Sequence, residues 1–462
     1  MEPAPKVLIF LFLFPVNGIG HFVCCGCKEY GADFFDRRGR DIPSEAAIIL
    51  LSISDIAILH TFTDKLFLFY MKIELLAPAG NLEKLKIAIL YGADAVYIAG
   101  QEFGLRSAAG NFSDYEIEEA IRFVHQKQRK IYITLNAFLH DREIRKLPLF
   151  LDTLNSLGPD GVICSDLGVV EIVKRHSNIP IHISTQASVL NSPNARIWQK
   201  EGVKRIVAGR ELSLQEAADL KRRTGMEMEL FIHGAMCMSY SGYCSISGYM
   251  AERDSNRGGC IQSCRFKYHL RSANGASQNA YFLNSRDLCG IALLDRFLKY
   301  GIDSMKIEGR MKSGLYIASV VRAYYQALND IERGKQPNYP YYIEELKKVP
   351  YRDYTDGSLE SPAGIDSVYN EQDRILCRYE MAGMVLETDL KRGRFAFQAK
   401  SRLKIGDLLE ILPARGEPIT VEITQMTDMS ESAMEIIQPN SITWLDWQNG
   451  IEAHHIARIA RY

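Results

Sequence analysis

Between residues 73 and 307 the chain repeats one pattern, and this repetition constrains its fold more than any other feature. A short apolar run rich in β-branched and aromatic residues is followed by an amphipathic stretch, and then by another run. The runs are Ile73–Ala77, Ala95–Ala99, Lys130–Leu135, Gly161–Cys164, Ile179–Ser184, Arg205–Ala208, Met228–Ile232 and Asp303–Ile307. Stretches such as Asn81–Tyr91 and Asp114–Gln128 lie between them, with Asn81 and Ser113 as helix N-caps. Alternating strands and helices require a parallel sheet. Eight such units match a (β/α)8, TIM-like barrel in number and size. A doubly wound open sheet is the structural rival, but the loop after the first run reads Ala77-Pro78-Ala79-Gly80-Asn81 and carries no GxGxxG.

A barrel of this kind places its chemistry at the C-terminal ends of the strands. Those ends carry Asn81, Arg106, Asn136, Asp166, Gln186, Arg210, Glu211, His233, Glu308 and Arg310. Singly, each has an ordinary reading as a cap or a loop hydrogen bond. Together they form a polar rim over an apolar barrel, the usual form of a small-molecule site.

The connections are uneven. The one between the seventh and eighth runs, residues 234–302, is far longer than the others and holds five of the ten cysteines. Long connections in compact domains are usually functional. The spacing is Cys237-x6-Cys244-x15-Cys260-x3-Cys264, with Cys289 further on. Thiolates from irregular backbone suit a soft metal, either an iron–sulfur cluster or zinc. Zinc sites favour paired short knuckles, and only Cys260 and Cys264 come near that form. A catalytic thiol and buried incidental thiols are the other readings. The same segment is basic, with Arg253, Arg257, Arg265, Lys267 and Arg271 interleaved with Tyr243, Tyr249, Phe266 and Tyr268. Cations with stackable rings hold phosphates and unstacked bases; a solvated loop with core aromatics is the plain alternative.

Composition narrows the class. Fifty-five Lys and Arg against 56 Asp and Glu give a net charge of −1, which excludes a uniformly basic surface but not a local basic patch. A chain of 462 residues is too long for a small disulfide scaffold. Residues 1–70 differ from the rest. The apolar runs Val7–Val16 and Ala46–Leu59 lack clean periodicity, and the first is too short to span a bilayer. The expectation is that Met71 is the true start and that residues 1–70 are upstream translation or a disordered extension; a membrane-associating or signal segment is the rival. After the barrel, residues 71–335, comes a linker, 336–381. Then short alternating runs from Ala382 to the end predict a small C-terminal β-barrel, serving RNA docking or as a structural cap.

The motifs MKIELLAPAG from Met71, ELFIHGAMC ending at Cys237, SGYCSIS around Cys244, GGCIQSCR through Cys264, SRDLC ending at Cys289 and DSMKIEGRMK ending at Lys312 resemble peptidase family U32, the collagenase-like proteins. Tyr354–Gly357 and Arg402–Asp407 resemble its C-terminal part. The family label implies a peptidase, yet the chain shows no HExxH, no GxSxG and no evident triad. The resemblance instead implies oxygen-independent hydroxylation, with tRNA wobble uridine, a ribosomal RNA cytidine or the ubiquinone ring as the target. Length favours the tRNA type, hence 5-hydroxylation of the wobble uridine. It also implies a 4Fe–4S cluster and prephenate as a hydroxyl donor. Carried over, the ligands are Cys237, Cys244, Cys260 and Cys289, with Cys264 competing for the last place. Rim position suggests Arg106, Arg210 and Arg310 as a clamp for a small dicarboxylate, and Glu308 and His233 as proton-moving groups. A U32-type peptidase, a ribosomal RNA hydroxylase and a non-catalytic cluster-bearing scaffold remain as alternatives. A cytoplasmic location without stable membrane association is expected.

Overall fold

The structure is a computed structural model, and it describes residues 73–105, 110–241, 243–364 and 377–461, with four three-residue strands between Ile9 and Gly26. Two compact units are present, Met1–Met71 and Lys72–Tyr462. In the first, Ile9–Leu11 pairs antiparallel with Cys24–Gly26, and Phe14–Val16 with Ile19–His21. Most of the remaining N-terminal stretch, on which the start-site expectation falls, lies outside the described residues.

The second unit contains the barrel. Its strands are β1 (Glu74–Pro78), β2 (Ala95–Ile98), β3 (Lys130–Leu135), β4 (Gly161–Cys164), β5 (Ile181–Ile183), β6 (Arg205–Val207) and β7 (Glu227–Ala235), with β11 (Ser304–Ile307) as the eighth. Every neighbouring pair is parallel. Pairings of β6 with β7, β7 with β11 and β11 with β1 close the ring. Burial on both faces explains the continuous apolar runs. The helices between strands include α1 (Leu82–Leu90) and α2 (Asp114–Gln126). Asn81 caps the first, and Ser113 with Glu116 forms a capping box on the second. Among the described residues no helix is long and apolar enough to cross a membrane.

The barrel interior is not wholly apolar. At its N-terminal end Arg205 donates to Glu74 at 2.5 Å, Tyr132 donates to Glu74 at 2.7 Å and Ser304 at 2.9 Å. One layer higher, Arg205 meets Glu229 at 3.2 Å and Lys306 meets the other Glu229 oxygen at 2.8 Å. Each buried charge therefore has an opposite partner, as burial demands.

The long connection leaves β7 and folds over the C-terminal end. It contains a short helix, α8 (Ile246–Ala251), and a hairpin of β8 (Tyr268–Arg271) and β9 (Ser277–Ala280). Strand β10 (Asp287–Cys289) then pairs antiparallel with the last third of β7, placing His233 opposite Cys289. Gly234 sits between at φ +107°, and a Cβ there would lie 2.4 Å from the Glu308 carbonyl oxygen, so only glycine fits.

Helix α10 (Gly314–Glu332) packs on the barrel. The stretch 336–381 holds helix α11 (Tyr339–Leu346) and strand β12 (Tyr354–Thr355), which joins β10 in parallel. The C-terminal part is a curled antiparallel sheet around one apolar core of Phe395, Phe397, Leu409, Ile411 and Ile459. Its longest strands are β13 (Tyr379–Asp389) and β14 (Arg394–Ala399).

Candidate active site

A cavity of about 220 Å³ opens at the C-terminal ends of the barrel strands. The strands supply its floor and the long connection supplies its roof. Thr134 and Asn136 come from the end of β3, Gln186 from beyond β5, and Arg210 from beyond β6. Lys306, Glu308 and Arg310 come from β11 and its extension, and share one face because strand side chains alternate. Cys237, Cys244, Cys260 and Cys264 line the same cavity from above.

The cationic groups are firmly set. Arg210 donates to the Ala235 carbonyl at 2.8 Å, and its guanidinium lies 4.1 Å from the centroid of the Phe231 ring. Arg310 is buried and donates to Thr134 Oγ1 at 3.3 Å. Lys306 is buried, bonded to Glu229 below, with its ammonium 4.5 Å from the Tyr97 ring centroid. Glu308 is the carboxylate of this lining. Two guanidiniums in one small cavity can offer donors to an anionic ligand. Of the expected clamp, Arg210 and Arg310 are placed in the cavity, and Arg106 lies outside the described residues.

The roof is tied to the barrel at several points. Ser241 donates through its backbone N–H and its hydroxyl to Glu211, both at 2.8 Å. Arg257 donates to the Phe138 carbonyl at 2.9 Å and pairs with Glu143 at 3.2 Å. Asn256 donates to the Cys244 carbonyl at 3.1 Å, and Arg265 to that of Met236 at 3.1 Å. These bonds hold the loop on which the thiols ride. Burial pushes the Cys264 thiol up; Arg265 pulls it down; the facing Cys237, Cys260 and Cys244 push it up again. Four thiols lining one cavity form a soft donor set, of the kind that takes an iron–sulfur cluster or zinc.

Two of the expected site residues lie outside the described cavity lining. His233 does not reach the cavity. Strict alternation from Glu229 and Phe231 would turn it inward, but the pairing of β7 with β11 shifts register between Phe231 and His233. Such a bulge reverses the face of the residues after it. His233 is packed instead among the rings of Tyr316, Tyr324 and Tyr354, and its Nδ1 lies 3.3 Å from the Tyr324 hydroxyl. Burial lowers its pKa to about 3. Cys289, its cross-strand neighbour, goes with it. That thiol is hydrogen-bonded to Tyr324 and pushed up to about 11 by burial, and it is absent from the cavity lining. The structure thus brings Cys264, not Cys289, together with Cys237, Cys244 and Cys260. Asn81 and Asp166 serve as the N-caps of their helices.

Sequence reasoning missed Lys306. The signal was present: a lysine in the middle of a fully buried strand, two and four residues before Glu308 and Arg310.

Fold and cavity together define a (β/α)8-barrel protein whose strand-end cavity is roofed by a cysteine-bearing insertion. Residues 80–368 match Peptidase family U32, and residues 377–458 match the Peptidase family U32 C-terminal domain. The chain belongs to peptidase family U32. It is 39% identical over 369 residues to tRNA hydroxylation protein P1 of Bacillus subtilis, covering 77% of this chain and 87% of that one. It is 31% identical over 437 residues to tRNA hydroxylation protein P of Escherichia coli, covering 83% and 96%. A 23S rRNA 5-hydroxycytidine synthase of Escherichia coli is 38% identical over 270 residues, which cover 57% of this chain and 40% of that protein.

Proposed function

We propose that this protein is an RNA hydroxylase that converts the wobble uridine of tRNA to its 5-hydroxy form without oxygen. The observation that carries this reading is the strand-end cavity that brings Arg210, Arg310 and Glu308 together beneath four thiols. The names of relatives that match most of the chain support RNA hydroxylation, and tRNA as its object. Cys237, Cys244, Cys260 and Cys264 would hold a 4Fe–4S cluster, which would supply a redox-active centre at the cavity. Arg210 and Arg310 would bind the carboxylates of a small dicarboxylate donor such as prephenate, since guanidinium forks match carboxylates. Glu308, in the same lining, would serve as a proton-moving carboxylate. Lys306 donates to Glu229 at 2.8 Å and lines the cavity from below.

A peptidase would need a nucleophile with a base beside it, or a hydrolytic metal. The described cavity lining contains thiols but no histidine, and His233 lies behind the strand.

The test is nucleoside mass spectrometry of tRNA from a strain lacking the gene, followed by restoration with purified anaerobic protein and donor. Loss of 5-hydroxyuridine derivatives and their restoration in vitro is expected. Full hydroxylation in the deletion strain would remove the reading. Loss without restoration by protein carrying about four irons and four sulfides would favour a scaffold.

A further inference from the structure

The roof that lines the cavity on its inner side exposes a set of large rings on its outer side. Tyr240 is 57% exposed, Tyr243 65% and Tyr249 89%, and Phe266 is exposed as well. They are interleaved with the lining residues: Tyr240 lies between Ser239 and Ser241, Tyr243 beside Cys244, and Phe266 two residues beyond Cys264. This interleaving places them on the segment that roofs the cavity. Isolated exposed rings need no explanation, but four on one roofing segment do.

Charge identifies what they face. Residues 240–280 hold Arg253, Arg257, Arg265, Lys267 and Arg271 against Glu252 and Asp254, a net +3 in a chain whose total is −1. Arg257 is spent holding the roof to the barrel, and Arg265 is bonded within the roof to the Met236 carbonyl. Arg253, Lys267 and Arg271 are exposed and form no ion pair with a described residue. Unneutralised cations beside exposed rings match a polyanion with open aromatic faces. A folded protein partner would be expected to bring carboxylates and aliphatic side chains, and a duplex would bury its base faces from the tyrosines.

We infer that this crown binds an unpaired RNA loop, stacking the bases that flank the target on Tyr240, Tyr243, Tyr249 and Phe266 while Arg253, Lys267 and Arg271 hold the phosphates. The inference rests on the RNA-hydroxylase reading and adds how the RNA is held. Selection follows from it: only a nucleotide whose neighbours are unstacked reaches the cavity.

The experiment uses the full-length protein, purified anaerobically, with two fluorescent probes, an anticodon stem–loop and a fully paired duplex of the same length. Stem–loop binding at least tenfold tighter than duplex binding is expected. Tyr243→Ala and Tyr249→Ala each weaken stem–loop binding about tenfold. The triple change Arg253→Ala, Lys267→Ala, Arg271→Ala lowers the slope of log affinity against log salt by about 2. All these side chains are exposed, so iron content and thermal midpoint should stay at the parent values. Equal binding of loop and duplex, or ring variants that bind as the parent does, overturns the crown and leaves hydroxylation standing. A parent protein that binds neither RNA overturns both. Binding to anionic lipid vesicles but to no RNA assigns the face to a membrane and overturns the inference.

Discussion

Lys306 carries the most information of any single residue. It stands in a strand whose residues are all buried, between a fully buried carboxylate and the cavity. Burial pushes the Glu229 carboxyl up, and Lys306 and Arg205 more than reverse this, so Glu229 stays charged. Lys306→Met leaves Glu229 with Arg205 alone. A loss of about 3 kcal/mol is expected from urea unfolding, with hydroxylation down at least tenfold. Adding Glu229→Gln should recover most of the stability and none of the activity, which separates the two roles. Two buried histidines set the acid limit. Burial, then Arg205, holds His182 well below the usual imidazole value; burial, then Lys312, takes His233 down to about 3. The folded protein keeps both rings neutral while the unfolded chain binds protons below about pH 6.5. Stability is therefore full above pH 6.5 and falls as pH drops, by about 1.4 kcal/mol per unit for each ring. His455, also lowered by burial, adds to this fall, and Asp287, raised to about 6 by burial, opposes it below pH 6; urea midpoints from pH 7 to pH 5 measure the slope, and His233→Gln should reduce it.

At the scale of elements, the insertion after β7 decides the site. Its position and its cysteines were plain in the sequence, because an overlong connection and a cluster of thiols are both visible in one dimension. Which four thiols meet was not. Motif matching assigned Cys289, but the bulge at Phe231 and His233 turns that face of β7 outward, and the antiparallel pairing carries Cys289 with it. Alanine at Cys237, Cys244, Cys260 or Cys264 should abolish the cluster absorbance and the iron content. Cys289→Ala should keep both and cost about 1 kcal/mol for the lost Tyr324 hydrogen bond. The opposite outcome at Cys264 and Cys289 would return the ligand set to the motif assignment.

For the whole molecule, the barrel and the C-terminal sheet are locked through buried polar contacts. Tyr91, on the barrel, donates to the Leu412 carbonyl at 2.6 Å and accepts from the Ile456 N–H at 2.8 Å. Arg458, fully buried in the sheet, bonds Glu345 at 2.7 Å and Glu410 at 2.6 Å. Glu345 also meets Arg322 of α10 at 3.4 Å. Such a seam makes the two parts unfold together. Trp198 reports on the barrel, and Trp444 and Trp447 report on the sheet. Their fluorescence transitions, separated with Trp198→Phe, should coincide in urea. Arg458→Met leaves two carboxylates without their main partner and should cost about 3–5 kcal/mol; transitions that stay coincident and unshifted would mean the seam contributes nothing.

What the sequence alone determined is what depends on neighbours along the chain. The eight strands, the caps at Asn81 and Ser113, the insertion at residues 234–302 and the antiparallel C-terminal part follow from periodicity, local hydrogen bonding and connection length. Tertiary structure alone decided the rest. The Glu74–Arg205–Glu229–Lys306 ladder joins residues from four strands far apart in sequence, and exists only because the ring closes. The outward turn of His233 follows from one register shift against β11, more than seventy residues away. The meeting of Cys264 with the other three thiols follows from where the barrel holds the roof. A pattern along one strand records which face is apolar; it does not record where the pairing slips or what the closed barrel brings together.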